Sequence, residues 1–189
     1  DLATFDMAFG STVGGILVTG TNAFTIAGTT GGLKVGSGGG DLIIQNFNSG
    51  GLTVSAPIKD FTAVTAVTRL VTAGTGVTTL TGTNTYTGDT MVNGGTLVFS
   101  SALASGAGTL GLGVAKPIYL RDGATLKYTG PAFTNPATVT VGTTAGVLGA
   151  ATTANTHSIW LPGGNAYIDI PSGTALRIDG VIGGAGETE

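Results

Sequence analysis

Apolar residues in this chain come in short runs, and nearly every run ends at glycine or another turn former. "GILVTG", "DLIIQNF", "GLTVSAPI", "TLVFS", "IYLRDG", "TLKYTG" and "AYIDI" are examples. The runs recur at intervals of roughly 8 to 12 residues, which predicts many short β-strands separated by turns. Helical periodicity is nearly missing. "FTAVTAVTRLV" places Val64, Val67 and Val71 on one helical face, but its β-branched content opposes a stable helix. "SALASGAG" at 101–108 admits one helical turn.

Two all-β architectures fit this pattern: an antiparallel β-sandwich or barrel, and a parallel β-helix whose rungs stack on one another. Three features favour the β-helix. The strands are shorter than sandwich strands usually are. Small residues stand where a coil must bend two or three times per rung, and glycine takes the positive-φ corners. The chain is also weakly self-similar. "GGLTVSAPI" at 50–58 resembles "TALRIDGVI" at 174–182, and "VNGGTLVF" at 92–99 resembles "RDGATLKY" at 121–128. Repetition of this kind marks a solenoid.

Composition narrows the classes. The 189 residues read as one domain, 1–189, with a real core. Charged residues make up 9% of the chain, against roughly 25% in ordinary soluble domains. The 41% hydrophobic content argues against a disordered low-complexity chain. The net charge is −3, and the seven cations are scattered, so a phosphate backbone is not an expected partner. No run of about 20 apolar residues is present to span a membrane as a helix. Cysteine is absent, which removes disulfides and thiolate chemistry and fits an exported bacterial protein. The chain starts at Asp1 and shows no signal peptide, so it reads as a processed or excerpted product.

The segment "LTGTNTYTGDTMVNGGTLVF", Leu80 to Phe99, carries the most specific pattern. It resembles the autotransporter-associated β-strand repeat, approximately L-T-G-x-N-T-Y-T-G-x-T-x-V-N-G-G-T-L. The residues that carry the likeness include Leu80, Gly82, Asn84, Tyr86, Gly88, Val92, Asn93, Gly94, Gly95 and Leu97. A looser likeness extends through "GLTVSAPI" upstream and "ALASGAGTL" downstream, and "IDGVIGGAG" near the C-terminus looks like the opening of another copy. The resemblance implies a right-handed parallel β-helix in the passenger of a Gram-negative bacterial protein, located extracellularly or at the outer cell surface. It also implies a scaffold and not an enzyme. No series of ten-residue alternating strands with aromatic girdles accompanies it, so the chain does not itself give the export route.

From these residues we expect Leu80, Val92, Leu97, Phe99, Leu110, Leu126 and Ile168 to point inward. Asn84 and Asn93 are expected at corners, Gly94 and Gly95 in a tight turn, and the threonines on outer faces. At roughly 20 residues per rung the chain would make about nine rungs. The open ends of such a coil offer unpaired edges, for continuation of the same polypeptide or for head-to-tail self-association into a filament.

Candidate chemistry is sparse. His157, the single histidine, has no second ligand or local carboxylate beside it. Asp122, Asp169 or Asp179 would have to converge for a polysaccharide-degrading site. Asp89 and Asp122 stand in turn sequences, where aspartate is an ordinary turn former. "GSGGGDLII" at 36–44 partly matches a calcium nonapeptide but lacks the tandem copies such a site needs, so it reads as a flexible turn. "GAGTLG" at 106–111 fits G-x-G-x-x-G, but no helix follows. The Thr-x-Thr run at 81–87 lies in one segment, whereas an ice-binding face needs one on each rung. Tyr86, Tyr128, Trp160 and Tyr167 are candidates for stacking on sugars, with core or corner packing favoured for most. No catalytic, metal or cofactor-binding residue is expected. The function read from the sequence is an extracellular structural stalk, passenger segment or filament subunit; the alternatives are an adhesin that binds carbohydrate or a host surface, and a polysaccharide-degrading β-helix enzyme.

Overall fold

The computed structural model describes residues 2–61, 66–100, 116–130, 147–148, 159–172, 174, 177–178 and 182–184. Its strands are two to seven residues long, and each rung uses the same small set of them. The first rung is β1 (Met7–Phe9), β2 (Val13–Val18) and β3 (Phe24–Ile26). The second is β4 (Leu33–Val35), β5 (Gly40–Asn46) and β6 (Leu52–Val54). The third contributes β7 (Thr68–Gly74) and β8 (Val77–Leu80), the fourth β9 (Thr90–Val92) and β10 (Thr96–Phe99), and the fifth β11 (Ile118–Leu120) and β12 (Thr125–Tyr128). Beyond these come β13 (Val147–Leu148), β14 (Ile159–Leu161), β15 (Tyr167–Asp169), β16 (Arg177–Ile178) and β17 (Ile182–Gly184).

Each strand pairs with its counterpart one rung away, not with its neighbour in sequence. The first face orders β2-β5-β7-β9-β11-β14-β17 and the second β3-β6-β8-β10-β12-β15. A third face holds β1 and β4, extended by a bridge from Leu33 to Ile58, and β13 pairs with β16. Every pairing between strands is parallel. This is the parallel β-helix, and it removes the antiparallel sandwich. No helix of the described residues is long and apolar enough to cross a membrane.

Rung length differs from the sequence expectation. Among the described residues the longest sheet has seven strands, against an expectation of about nine rungs. Only the step from Leu70 to Thr90 is 20 residues; Leu42 to Leu70 takes 28 and Ile118 to Ile159 takes 41. Strand pairing fixes the rung spacing at about 4.8 Å, whereas the connections between faces vary in length without disturbing it.

Alternation along each strand places one set of side chains inside the coil. Leu42, Leu70 and Ile118 form part of one interior row, and Ile44, Val92 and Leu120 stand in another; all are fully buried. Leu80, Leu97, Phe99 and Leu126 are also fully buried, and Ile168 packs against this core half-buried. The two similar segments at 92–99 and 121–128 stack directly, with Leu97 beside Leu126 and Phe99 beside Tyr128. Those two rings lie 5.3 Å apart, tilted by 55°. The other similar pair does not coincide: β6 lies on the second face, whereas β16 pairs with β13. Thr68–Gly74, in the stretch weighed as a helix, is a strand. Leu110, "SALASGAG" and residues 62–65 lie outside the described residues.

Candidate functional site

The repeat-like segment forms the most regular part of the coil. From Thr78 to Val92 the even-numbered residues are buried and the odd ones face outward or are half-covered. Leu80, Gly82, Asn84, Tyr86, Gly88 and Val92 therefore belong to the interior, whereas Thr81, Thr83 and Thr85 face solvent. Thr-x-Thr spacing is the outward half of that alternation.

Each inward residue has a distinct task. Gly82 crosses close to the preceding rung: a Cβ there would lie 2.7 Å from the Ser55 carbonyl and 2.8 Å from that of Ala56. Gly88 meets the Thr68 carbonyl in the same way. Asn84 is fully buried, and its Oδ1 accepts from the Ile58 N–H at 2.9 Å. The expected exposed corner is thus an internal amide that satisfies a backbone group of the neighbouring rung. Asn93 is exposed at the corner after β9, followed by Gly94 (φ +147°) and Gly95 (φ +65°). That turn requires backbone conformations which side-chain-bearing residues disfavour.

Tyr86 is fully buried, with its hydroxyl 2.7 Å from Thr90 Oγ1. Burial pushes the Tyr86 hydroxyl well above its ordinary range, and the Thr90 hydrogen bond opposes only part of that. It stays a neutral phenol. Tyr128 is also fully buried, and burial raises its hydroxyl as well. Both are therefore removed from the group available to stack on sugars; Trp160 is half-covered and Tyr167 exposed. Thr68, Thr72, Thr78 and Thr90 are likewise inside, against the expectation that threonines take outer faces. Hydrogen bonding makes this tolerable for three of them: Thr68 Oγ1 donates to the Lys59 carbonyl at 2.8 Å, Thr78 Oγ1 accepts from Asn46 Nδ2 at 3.2 Å, and Thr90 meets Tyr86.

The segment is tied to its neighbours by one carboxylate that the sequence did not single out. Asp60 accepts from the Thr68 N–H at 2.7 Å, from Thr87 Oγ1 at 2.7 Å and from the Thr87 N–H at 3.1 Å. It clips together the third and fourth rungs. Its only sequence signal is a lone aspartate ahead of a stretch rich in threonine and valine, which is too weak to read.

The family model of the passenger-associated-transport-repeat matches residues 70–99. This chain carries that repeat. The passenger-associated repeat spans β7 to β10, so it is one full rung and part of the next, and it contains the whole buried alternation. No curated protein and no solved structure gives a significant match to the chain.

Three further acidic residues outside the repeat are held in separate contacts, away from one another. Asp122 Oδ1 accepts from the Asn165 N–H at 2.8 Å, Asp169 pairs with Lys127 at 2.7 Å, and Asp41 pairs with Arg69 at 2.6 Å. Asp41 follows a turn in which Gly39 and Gly40 have positive φ, where the calcium-like sequence lies. Among the described residues no three His, Cys, Asp or Glu side chains come together. Asp179, His157 and the "GAGTLG" segment lie outside the described residues.

Proposed function

We propose that this chain is a β-helical stalk segment of an autotransporter-type passenger, carried outside a Gram-negative bacterium, with a mechanical and non-catalytic role. The observation that carries the reading is the position of the repeat. Its alternate residues, Leu80 to Val92, form the inside of the coil and none is presented to a substrate. What the repeat supplies is a rung of fixed height that can be stacked. Interior rows of Leu, Ile and Val and backbone hydrogen bonds between rungs make the stack stiff. Scarcity of charge leaves few groups for solvent or substrate to act on.

β2 and β3 are edge strands of their sheets, and next to them an apolar cup of about 380 Å³ is lined by Leu2, Phe9, Ile16, Phe24 and Ile26. A preceding rung of the same polypeptide fits that cup and those edges. The test is an in-frame deletion of residues 42–69 within the parent protein. It joins Asp41 to Leu70, the counterpart of Leu42 one rung away. The deleted protein should still reach the surface of intact cells, as judged by protease shaving, with the stalk shortened by about 4.8 Å. Retention of the native protein inside the cell, or turnover of a glycan lost on deletion, would overturn the reading.

A further inference from the structure

The outer surface of the first face carries a row the function above does not use. Gly15, Ile43, Val71, Met91, Tyr119 and Trp160 occupy equivalent positions on the outer side of six successive rungs; Gly15 is exposed, Ile43, Met91, Tyr119 and Trp160 are half-covered, and Val71 lies buried between its neighbours at 7% exposure. Along the coil the row grows from no side chain at Gly15 to an indole at Trp160. The Trp160 ring lies across Gly183 of the next rung, where a Cβ would come within 2.9 Å of it. At the other end, Gly15 floors a notch of about 260 Å³ between Val13 and Leu17, which are 56% and 65% exposed. Beside the row runs a line of charge. Arg69 Nε sits 2.6 Å from Asp41 Oδ1, and Asp89 stands one rung further on, its backbone carbonyl accepting from Leu70.

We infer that this face docks a second copy of the chain, face to face with the coil axes antiparallel, about a two-fold axis lying along the strands between Val71 and Met91. That operation puts Val71 opposite Met91, Ile43 opposite Tyr119 and the Gly15 notch opposite the Trp160 indole. The small half of each row meets the large half of the other. The same operation keeps the flanking line against itself, so Arg69 of each copy faces Asp89 of the other, twice. Gln45 and Arg121 face one another on the opposite flank. An aromatic anchor in an apolar notch is the usual centre of binding energy. The footprint, about 29 Å by 17 Å from six rungs and five residues of strand, is below the ~800 Å² per partner of a standard interface. The dimer is therefore a reversible one, forming in the micromolar range.

Trp160 is the only tryptophan, so its fluorescence reports on the contact directly. Sedimentation of the chain from about 1 to 200 µM should show monomer passing to a closed dimer, with the Trp160 emission shifting to the blue. Gly15→Glu fills the notch; among the described residues the heavy atom near a Cβ there is the Ile43 carbonyl oxygen at 3.8 Å, so the monomer accommodates it. Gly15→Glu should weaken the dimer by about tenfold or more while circular dichroism and the melt stay unchanged. Asp89→Lys should weaken it several-fold. A chain that stays monomeric over this range overturns the proposal. So does a dimer indifferent to Gly15→Glu, or an open-ended oligomer, which would mean that the coil ends associate. A Trp160 shift produced in the monomer by soluble oligosaccharide would assign the face to a sugar instead.

Discussion

The first and third rungs carry the same alternation but not the same burial. Phe24, Thr25 and Ile26 of β3 stand in register with Leu52, Thr53 and Val54 of β6, which stand in register with Thr78, Thr79 and Leu80 of β8. Leu52, Val54, Thr78 and Leu80 are buried, whereas Phe24 is 49% exposed and Ile26 half-covered. The direction in which a side chain points is set by its own strand. Whether it leaves water is set by a neighbour on each side. In a solenoid the core is therefore a property of the stack, and each rung contributes according to its position in it.

The widest way to test that contrast is to remove an aromatic from each place. Tyr86→Ala empties a site closed on all sides and should cost about 3–5 kcal/mol. Phe24→Ala, at a site already half in water, should cost about 1 kcal/mol or less. Urea unfolding followed by circular dichroism measures both. Equal shifts in midpoint would mean that the first rung is as well supported as the third and fourth, and the comparison would fail.

A finer test uses two asparagines that look alike in the sequence. Asn84→Ala leaves the Ile58 N–H buried without its acceptor and should cost about 1–3 kcal/mol. Asn93→Ala, at an exposed corner, should change stability by about 0.5 kcal/mol or less. The same denaturation experiment separates them. Similar losses would show that the corner, not the internal amide, is what the motif protects.

The pair also shows where the sequence was legible. Short glycine-closed strands, the lack of helical period and the motif at 80–99 were enough for a parallel coil, and the leucines and valines of the motif were readable as interior. The polar interior was not. Asn84, Thr90 and Tyr86 alternate with outward threonines in one unbroken polar run, and composition alone assigns such a run to the surface. Only the hydrogen-bond partners reveal which half is inside: the Ile58 N–H of the neighbouring rung for Asn84, and the hydroxyl contact between Tyr86 and Thr90 within their own rung. The expected rung length of roughly 20 residues held for one step and not the others, for a related reason. The repeat rung is the shortest, so its length did not transfer to rungs whose connections carry extra residues. The outward row from Ile43 to Trp160 was invisible because its members are separated by 20 to 41 residues and meet only through pairing.

The first rung should also differ in its response to acid. Asp6 accepts from Lys34 Nζ at 2.8 Å, Lys59 Nζ at 3.0 Å and the Gly32 N–H at 2.9 Å; Lys59 also donates to the Thr30 carbonyl. The Lys34 hydrogen bond above all holds its carboxyl down at about 2, from an ordinary 3.8, against the opposing effect of burial. A depressed carboxyl stabilises the fold above its unfolded value and loses that contribution as pH falls through the folded one. The window is therefore pH 4 to 2, and the loss is about 1 kcal/mol once solvent screening of these partly exposed groups is allowed for. Amide resonances of Met7–Phe9 should shift across that window while those of β8 and β9 stay put. Asp6→Asn should remove the pH dependence. A uniform response along the coil would contradict a locally held first rung.

The smallest expected effect has the opposite sign. Thr72 faces inward in the row that holds Ile44 and Val92, and among the described residues its Oγ1 is the buried side-chain polar atom without a hydrogen-bond partner. The other interior threonines are paired, so this hydroxyl has left water without compensation. Replacing it with valine keeps the shape and β-branching while removing the orphaned group. Thr72→Val should therefore stabilise the coil, by about 1 kcal/mol, where most core substitutions destabilise. Thr90→Val is the control: it breaks the contact with Tyr86 and should destabilise by about 1 kcal/mol. If both valines move the urea midpoint in the same direction, interior polarity in this coil is not governed by pairing, and the distinction between sealed and open rungs would rest on apolar burial alone.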